Sequence, residues 1–450
     1  MIFSDAKKIA VVGGFGGPTS VMNRTLAGIC KGLEDKNTII QGAKGGIAGI
    51  INKDFLRLDL LNGRLSKEIK KPGFFLGTSK FNGSEDKSEL IASSLREIGA
   101  NYFYIIGGNR TARIANDIVN ACSRLNYDLN VIHVPKSSEN DVVGNDHSPG
   151  AGSAMRVVAK VAYGLDQENI MNRDISIMYV RGKHTGWLAA ASALLKDHSG
   201  PHYIYVPEIN FKMDFLLRDI EDSYLCKRRA FIVISEGVRE YRYFNGQVEK
   251  DENGNERYER IADIALRSRS VRAEKEITQD NASLSEETEV LAAYVGDIVK
   301  KEFPNIHVQS TILGYMIRTH PDVSEIDEIE ATLVGKRAVK YSFEIGGSGS
   351  VIINRTGRHH TYSIETEFAP LDRVVGTKRL TPDMVGRYAG GVSEKYTEYA
   401  GPLIGQMNGI SDKDYLLPAN YDYKRIGLRN KWKKVSVNNI SHPKITTTKE

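Results

Sequence analysis

The chain has 450 residues, 41% of them hydrophobic and 26% charged, with a net charge of +5. That length can bury one or two full cores, and the composition sits near the globular average. The small positive surplus suits an anionic small ligand and does not call for nucleic acid. Cys30, Cys122 and Cys226 stand far apart without a CxxC pair, which argues against a disulfide framework or a zinc site and for a reducing compartment. The polar start, Met1 to Lys8, lacks the apolar core of a signal peptide, and no apolar run approaches the ~20 residues of a membrane span. A cytoplasmic protein is expected.

Apolar runs and helical periods alternate through the first half. Strands are expected at Lys8 to Gly13, Asn37 to Gln41, Tyr102 to Ile106, Asn130 to Val134 and Ser176 to Val180. Helices are expected at about Met22 to Leu33, Ser88 to Ile98, Thr111 to Leu125, Ser153 to Gly164 and Trp187 to Leu195. Such alternation predicts an α/β fold with mostly parallel sheets, whose ligands bind beyond the carboxyl ends of the strands. His202 to Val206 and Ala230 to Ser235 read as further strands. From about Tyr243 to Glu287 the pattern dissolves into charged sequence, read as an exposed insertion with partial helix. Thr288 to Lys301 is helical with Thr288 as N-cap. Val308 to Leu313 is a strand, Asp327 to Ser342 a helix and Ser350 to Asn354 a strand. The expected division is a phosphate-donor lobe over 1–170, a second lobe over 171–345 carrying the insertion at 243–287, a segment 346–420 completing both lobes, and a basic tail over 421–450.

The chemistry lies at the strand ends. Gly13-Gly14-Phe15-Gly16-Gly17-Pro18 joins a strand to a helix, where glycines let backbone amides approach a phosphate. It lacks the Gly-Lys-Ser/Thr ending of a Walker loop and the spacing of a dinucleotide fingerprint. Gly107 to Thr111 repeats the arrangement with Arg110, a bidentate phosphate ligand by type. Lys136, Glu139 and Asp141 follow another strand. A lysine offsets phosphate charge, one acid accepts a hydroxyl proton and another helps to hold Mg²⁺. Arg181 to Trp187, Ser235-Glu236-Gly237 and Leu313 to Arg318 end three more strands. His184 has no His or Cys partner at metal spacing and reads as structural or hydrogen-bonding. Together these loops point to a phosphorylated substrate and a phosphate donor.

In this order the loops resemble those of the phosphofructokinase family, above all its pyrophosphate-dependent branch. Gly16 to Asn23 is similar to the family's GGPAPGMN, Leu76 to Lys80 to LGTSR, and Gly107 to Thr111 to GGNDS. Pro135 to Asp141 resembles PKTIDND, Asp146 to Ala154 resembles DHTPGFGSA, and Arg181 to Trp187 resembles MGRNAGW. The likeness covers nearly the whole chain except 243–287 and the tail. It implies two Rossmann-like lobes with the active site between them, in a homodimer or homotetramer. It also implies Mg²⁺-dependent transfer of a phosphoryl group from pyrophosphate to the 1-hydroxyl of fructose 6-phosphate, giving fructose 1,6-bisphosphate in glycolysis. ATP is the alternative donor. A catalytically weakened paralogue that binds sugar phosphate as a regulatory subunit is the alternative of another class.

By position in the resemblance, Glu139 is the base, Asp141 the second acid and Lys136 the lysine that favours pyrophosphate. Gly16, Gly17, Lys80, Asn109 and Arg110 fall on the donor side, with Asn109 where much of the family holds Mg²⁺ through an aspartate. Ser137, Arg181, Gly182, Lys183, Glu236, Tyr315 and Arg318 fall at the sugar-phosphate positions, Arg318 at the 6-phosphate. The chain departs from the pattern at the site itself. Glu139 stands for aspartate, which moves the carboxylate by one methylene, roughly 1.5 Å. Arg181 and Lys183 stand for methionine and arginine, and Arg110 would crowd the α-phosphate of a nucleotide while still attracting pyrophosphate.

Overall fold

A strand covered on both faces sends alternate side chains into two different cores. Lys8–Phe15 (β1) shows this directly. Ala10 and Val12 join one cluster with Met22, Leu26 and Ile29 of the helix Met22–Leu33 (α1), and Val11 and Phe15 join another on the opposite face. The computed structural model describes residues 7–61, 68–79, 85–195, 200–245, 247–254, 256–272, 284–357, 362–386 and 391–407.

In chain order, α1 is followed by Thr38–Ala43 (β2), Ile47–Ile51 (α2), Phe55–Arg57 (β3), Thr78–Ser79 (β4), Glu85–Glu97 (α3), Tyr102–Gly107 (β5), Asn109–Arg124 (α4), Asn130–Pro135 (β6) and Ala151–Asn172 (α5). Next come Ile175–Val180 (β7), Trp187–Ala190 (α6), Tyr203–Tyr205 (β8), Met213–Lys227 (α7) and Ala230–Ser235 (β9). Short strands Arg239–Tyr241 (β10), Tyr243–Phe244 (β11), Gln247–Val248 (β12) and Tyr258–Arg260 (β13) precede the helices Ile261–Arg272 (α8) and Leu284–Glu302 (α9). Val308–Leu313 (β14), Glu325–Glu344 (α10), Gly349–Arg355 (β15), Ile364–Ala369 (β16) and Glu394–Ala400 (α11) complete the described elements.

The strands form two main sheets. The first runs β16-β15-β6-β5-β1-β2-β3, with β4 pairing the end of β1, and is parallel except at the two outer pairs, β15 with β16 and β2 with β3. The second runs β14-β7-β9-β8 and is parallel throughout. The expected α/β class is thus observed. Two expectations are corrected. Thr288 lies inside α9 rather than capping it, and its hydroxyl donates to Glu236 Oε2 at 2.6 Å. The 243–287 segment is not simply exposed. It forms two small hairpins, and Ile261, Ala262 and Ala265 of α8 are buried, the first two in the core beneath the second sheet. The basic tail lies outside the described residues.

The helices α1 and α10 cross in close contact beside the first sheet. A Cβ on Gly28 would meet the Thr332 carbonyl oxygen at 2.3 Å, and one on Gly335 would meet the Thr25 carbonyl oxygen at 2.3 Å. Two glycines facing each other's backbones leave no side chain to rotate away. Gly28→Val should therefore lower the unfolding free energy by roughly 1–3 kcal/mol, read by denaturant titration. An unchanged midpoint would show that the helices can separate freely.

Candidate active site

Three strands of the first sheet and two of the second carry their C-terminal loops to one cavity of about 220 Å³. From the first sheet come Gly16 and Gly17 after β1, Asn109 and Arg110 after β5, and Lys136, Ser137, Glu139 and Asp141 after β6. From the second come Arg181 and Lys183 after β7, and Arg318 after β14. Tyr315 lies beneath the guanidiniums of Arg181 and Arg318, with ring centroids 4.3 and 4.7 Å from them. Glu236 is buried beside Arg181. Gly182 stands behind the wall, its carbonyl accepting from Ser235 Oγ at 2.9 Å. Lys80 lies outside the described residues.

Lys136 is buried and committed to the glycine turn. Its ammonium donates to the carbonyls of Phe15 at 3.3 Å and Gly17 at 2.6 Å. Burial, reinforced by the charge of Arg318, pushes its pKa down to about 8. Glu139 lies between cations. Arg181 donates to its Oε1 at 3.1 Å, and the Arg318 guanidinium lies 3.5 Å from the same oxygen. Burial alone would raise this carboxyl, but the two guanidiniums outweigh it and hold it below its ordinary range. Asp141 moves the other way, raised by burial and by the neighbouring Glu139 charge, although Ser137 donates to it at 2.5 Å. Several polar atoms beside this pair have no hydrogen-bond partner among the described residues: Arg181 Nε and Nη1, Glu236 Oε1 and the Tyr315 hydroxyl. Buried donors and acceptors left in this state mark a place for a polar ligand.

The model of a family described as phosphofructokinase matches residues 8–342. The chain belongs to the phosphofructokinase family. It is 32% identical over 406 residues to the pyrophosphate–fructose 6-phosphate 1-phosphotransferase of Rhodospirillum rubrum, covering 89% of this chain and 94% of that protein. It is 29% identical over 381 residues to the sulfofructose kinase of Alkalicoccus urumqiensis, covering 83% and 90%. The fold matches the pyrophosphate-dependent phosphofructokinase structure from Marinobacter aquaeolei with a TM-score of 0.72 at 21% identity, covering 90% of this chain and 94% of that one.

Several wall residues were given no site role by the sequence reading. Thr19, Gly108, Thr111, Ile114, Ser138 and His184 also line the cavity. All but Ile114 lie inside the glycine, acidic and cation loops already singled out, so membership of those loops was the available signal. Glu287 gave none. It reaches the site from α9, accepting from Lys183 at 3.1 Å and from Arg260 at 2.7 Å. The charged stretch that suggested an exposed insertion thus supplies the partner of a cavity cation.

A divalent ion finds a limited donor set here. Among the described residues no group of three His, Cys, Asp or Glu side chains could hold a metal. Asp141 is a carboxylate on the cavity wall, and the Asn109 amide lies on the same wall. Mg²⁺ is commonly held by one or two carboxylates together with substrate phosphates. The residues therefore fit an ion that arrives on its phosphate ligand.

The loop that bears Glu139 and Asp141 is braced from behind. Asn140, at φ +54°, donates to the Tyr399 hydroxyl at 2.9 Å and accepts from the Ser148 amide at 3.2 Å. The Lys378 amide donates to the Asp141 carbonyl at 2.9 Å. Beyond Tyr399, His147 is buried between Asp146 at 2.8 Å and Glu330 at 2.5 Å. Burial pushes its pKa down, but the two carboxylates outweigh that and raise it above 6.5. A raised histidine contributes stability that is complete below pH 6.5 and is lost as the pH climbs through the folded value. Stability should therefore fall as the pH rises above 6.5, and His147→Gln should remove that part of the fall. Parallel pH profiles of unfolding free energy for the two proteins would contradict the charge assignment.

Proposed function

We propose that this protein transfers a phosphoryl group from pyrophosphate to the 1-hydroxyl of fructose 6-phosphate. The observation that carries the reading is the single cavity in which the Lys136–Asp141 loop of one sheet meets Arg181, Lys183 and Arg318 of the other. The sequence relation over most of both chains supports the same reaction. Pyrophosphate would lie against the backbone of Gly16, Gly17 and Gly108, near Lys136, with Arg110 at the outer edge. The sugar phosphate would lie on the side of Arg181 and Arg318. Bound Mg²⁺ would neutralise charge on the phosphate oxygens, with Asp141 and Asn109 as its protein contacts.

Glu139 is the proposed base. Its lowered pKa keeps it ionised at neutral pH, ready to accept a proton, but the guanidinium contacts also make it a weaker base. An incoming phosphate competes for those same guanidiniums and would release the carboxylate at the moment of need. Ser137 donates to Asp141, the loop's second acid, at 2.5 Å and so fixes its position. The proposal extends to a cytoplasmic glycolytic enzyme acting as a homodimer or homotetramer, as the family relation suggests. Residues 1–170 would form the donor lobe and 171–345 the acceptor lobe. The 346–420 segment, which returns β15 and β16 to the first sheet, would complete the whole.

A coupled assay with fructose 6-phosphate should show turnover with pyrophosphate and little with ATP. Glu139→Gln should lower kcat by ~10²–10⁴-fold. Absence of turnover with either donor would sink the reading. The clamp of Arg181 on Glu139 favours a second reading, a weakened paralogue that binds sugar phosphate for a partner subunit. Fructose 6-phosphate binding without turnover would select it. If the clamp sets the basicity of Glu139, Arg181→Met should move the acid limb of the kcat/KM profile to higher pH, because a cation that lowers the carboxyl is gone. An unmoved acid limb would assign that limb to another group.

A further inference from the structure

Two residues side by side near the start of α9, Glu287 and Thr288, each bond a residue from the strand ends of the second sheet. Neighbouring positions on a helix point about 100° apart, so the pair reaches two targets rather than one. Glu287 accepts from Lys183, after β7, at 3.1 Å. Thr288 donates to Oε2 of Glu236, after β9, at 2.6 Å.

The second bond is built into the core. Thr288 and Glu236 are both fully buried, and α9 is held beneath the second sheet by Leu291, Val295 and Val299. A threonine within a helix can turn its hydroxyl back to the carbonyl one turn earlier. A hydroxyl has one proton to give, and here it goes across to the sheet. Burial raises the Glu236 carboxyl, and the Thr288 hydrogen bond, like the Arg181 charge, works against that rise.

The other oxygen of Glu236, Oε1, has no partner among the described residues. Neither do Nε and Nη1 of Arg181, whose charge lies between Glu139 and Glu236. Arg181 is bonded to the first of these acids and only near the second. A phosphate that draws Arg181 away from Glu139 leaves Glu236 as its remaining anchor. Where Oε1 then lies depends on what grips Oε2.

We propose that Thr288 is a positioning residue for the acceptor: its hydroxyl fixes the Glu236 carboxylate, and Glu236 in turn sets the Arg181 guanidinium for the phosphorylated sugar. The sugar's identity rests on the phosphoryl-transfer reading; the effect of Thr288 on ligand affinity needs no turnover. A helix far along the chain thus tunes the acceptor side without touching the ligand.

Calorimetric binding of fructose 6-phosphate and of pyrophosphate to the full chain, each measured alone, tests this. Thr288→Val keeps the branched shape and removes the donor. It should raise the Kd for fructose 6-phosphate about tenfold and leave that for pyrophosphate unchanged. Thr288→Ser keeps the donor and should restore the Kd to within about threefold. In a Glu236→Ala background Thr288→Val should have no further effect, because the two residues act in series. Thr288→Ala, a better helix former, takes the place of the valine variant if that one fails to fold. In the coupled assay the loss should fall on KM rather than kcat. An unchanged Kd in the valine variant, a serine variant as weak as the valine, equal losses with and without Glu236, or a loss confined to kcat would each overturn the proposal. Turnover with neither donor, alongside a hydroxyl-dependent Kd for fructose 6-phosphate, would remove the transferase reading and leave Thr288 in its role.

Discussion

One carboxylate oxygen joins the two sheets at the site. Glu139 Oε1, on a loop of the first sheet, accepts from Arg181 and lies against Arg318, both on loops of the second. Two guanidiniums and one carboxylate leave a buried surplus of positive charge, which is costly unless another anion balances it. Glu236 offsets part of it from beside Arg181, but burial raises that carboxyl and weakens its claim to the charge. The unsatisfied atoms around Arg181, Glu236 and Tyr315 describe the same shortage in hydrogen-bond terms. A ligand with hydroxyls and a phosphate meets both needs at once, and the architecture of strand ends brings it there.

The rest of the fold supports the stiffness of this meeting point. The acidic loop follows β6 at the centre of the first sheet, where every residue of the neighbouring β5 is buried. Its turn at Asn140 takes a left-handed conformation and is tied to Tyr399 and the Ser148 amide. Nearby, Asp327 on α10 accepts from the amides of Gly150 at 2.9 Å and Ser153 at 2.7 Å, closing the N-terminus of α5. Burial raises the pKa of Asp327 to about 6, so this bond between helices joins a weakly held charge to a positive helix end. The loop, its brace and the crossing of α1 with α10 thus form a continuous rigid frame behind the cavity.

Strand positions were legible because burial on both faces imposes continuous apolar runs, as in Phe103 to Ile106 or Phe231 to Ile234. Glycine turns and their charged neighbours then marked the site, since Gly16, Asn109, Lys136, Glu139, Arg181 and Arg318 all reach one cavity. What escaped notice depends on long-range contact. The helix Met213–Lys227 carries a weak periodic signal, and α5 runs on to Asn172, well past the expected Gly164. Ile261 and Ala262 sit amid charges yet are buried, because α8 packs its few apolar residues beneath the second sheet. No local pattern foretold that Thr288 would bond Glu236, or that Glu287 would pair with Lys183. Those links join residues about fifty and a hundred positions apart.

Lys136 carries a consequence of another kind. Its ammonium is fastened to the carbonyls of Phe15 and Gly17, while its backbone begins the loop that bears both acids. A single side chain therefore sets the separation between the glycine turn and the acidic loop. A reaction that must hold attacking and leaving oxygens in line tolerates little variation in that separation. The lysine acts as a spacer as much as a charge. A residue of equal charge but different length would leave the local potential intact and still put the two halves of the site out of register.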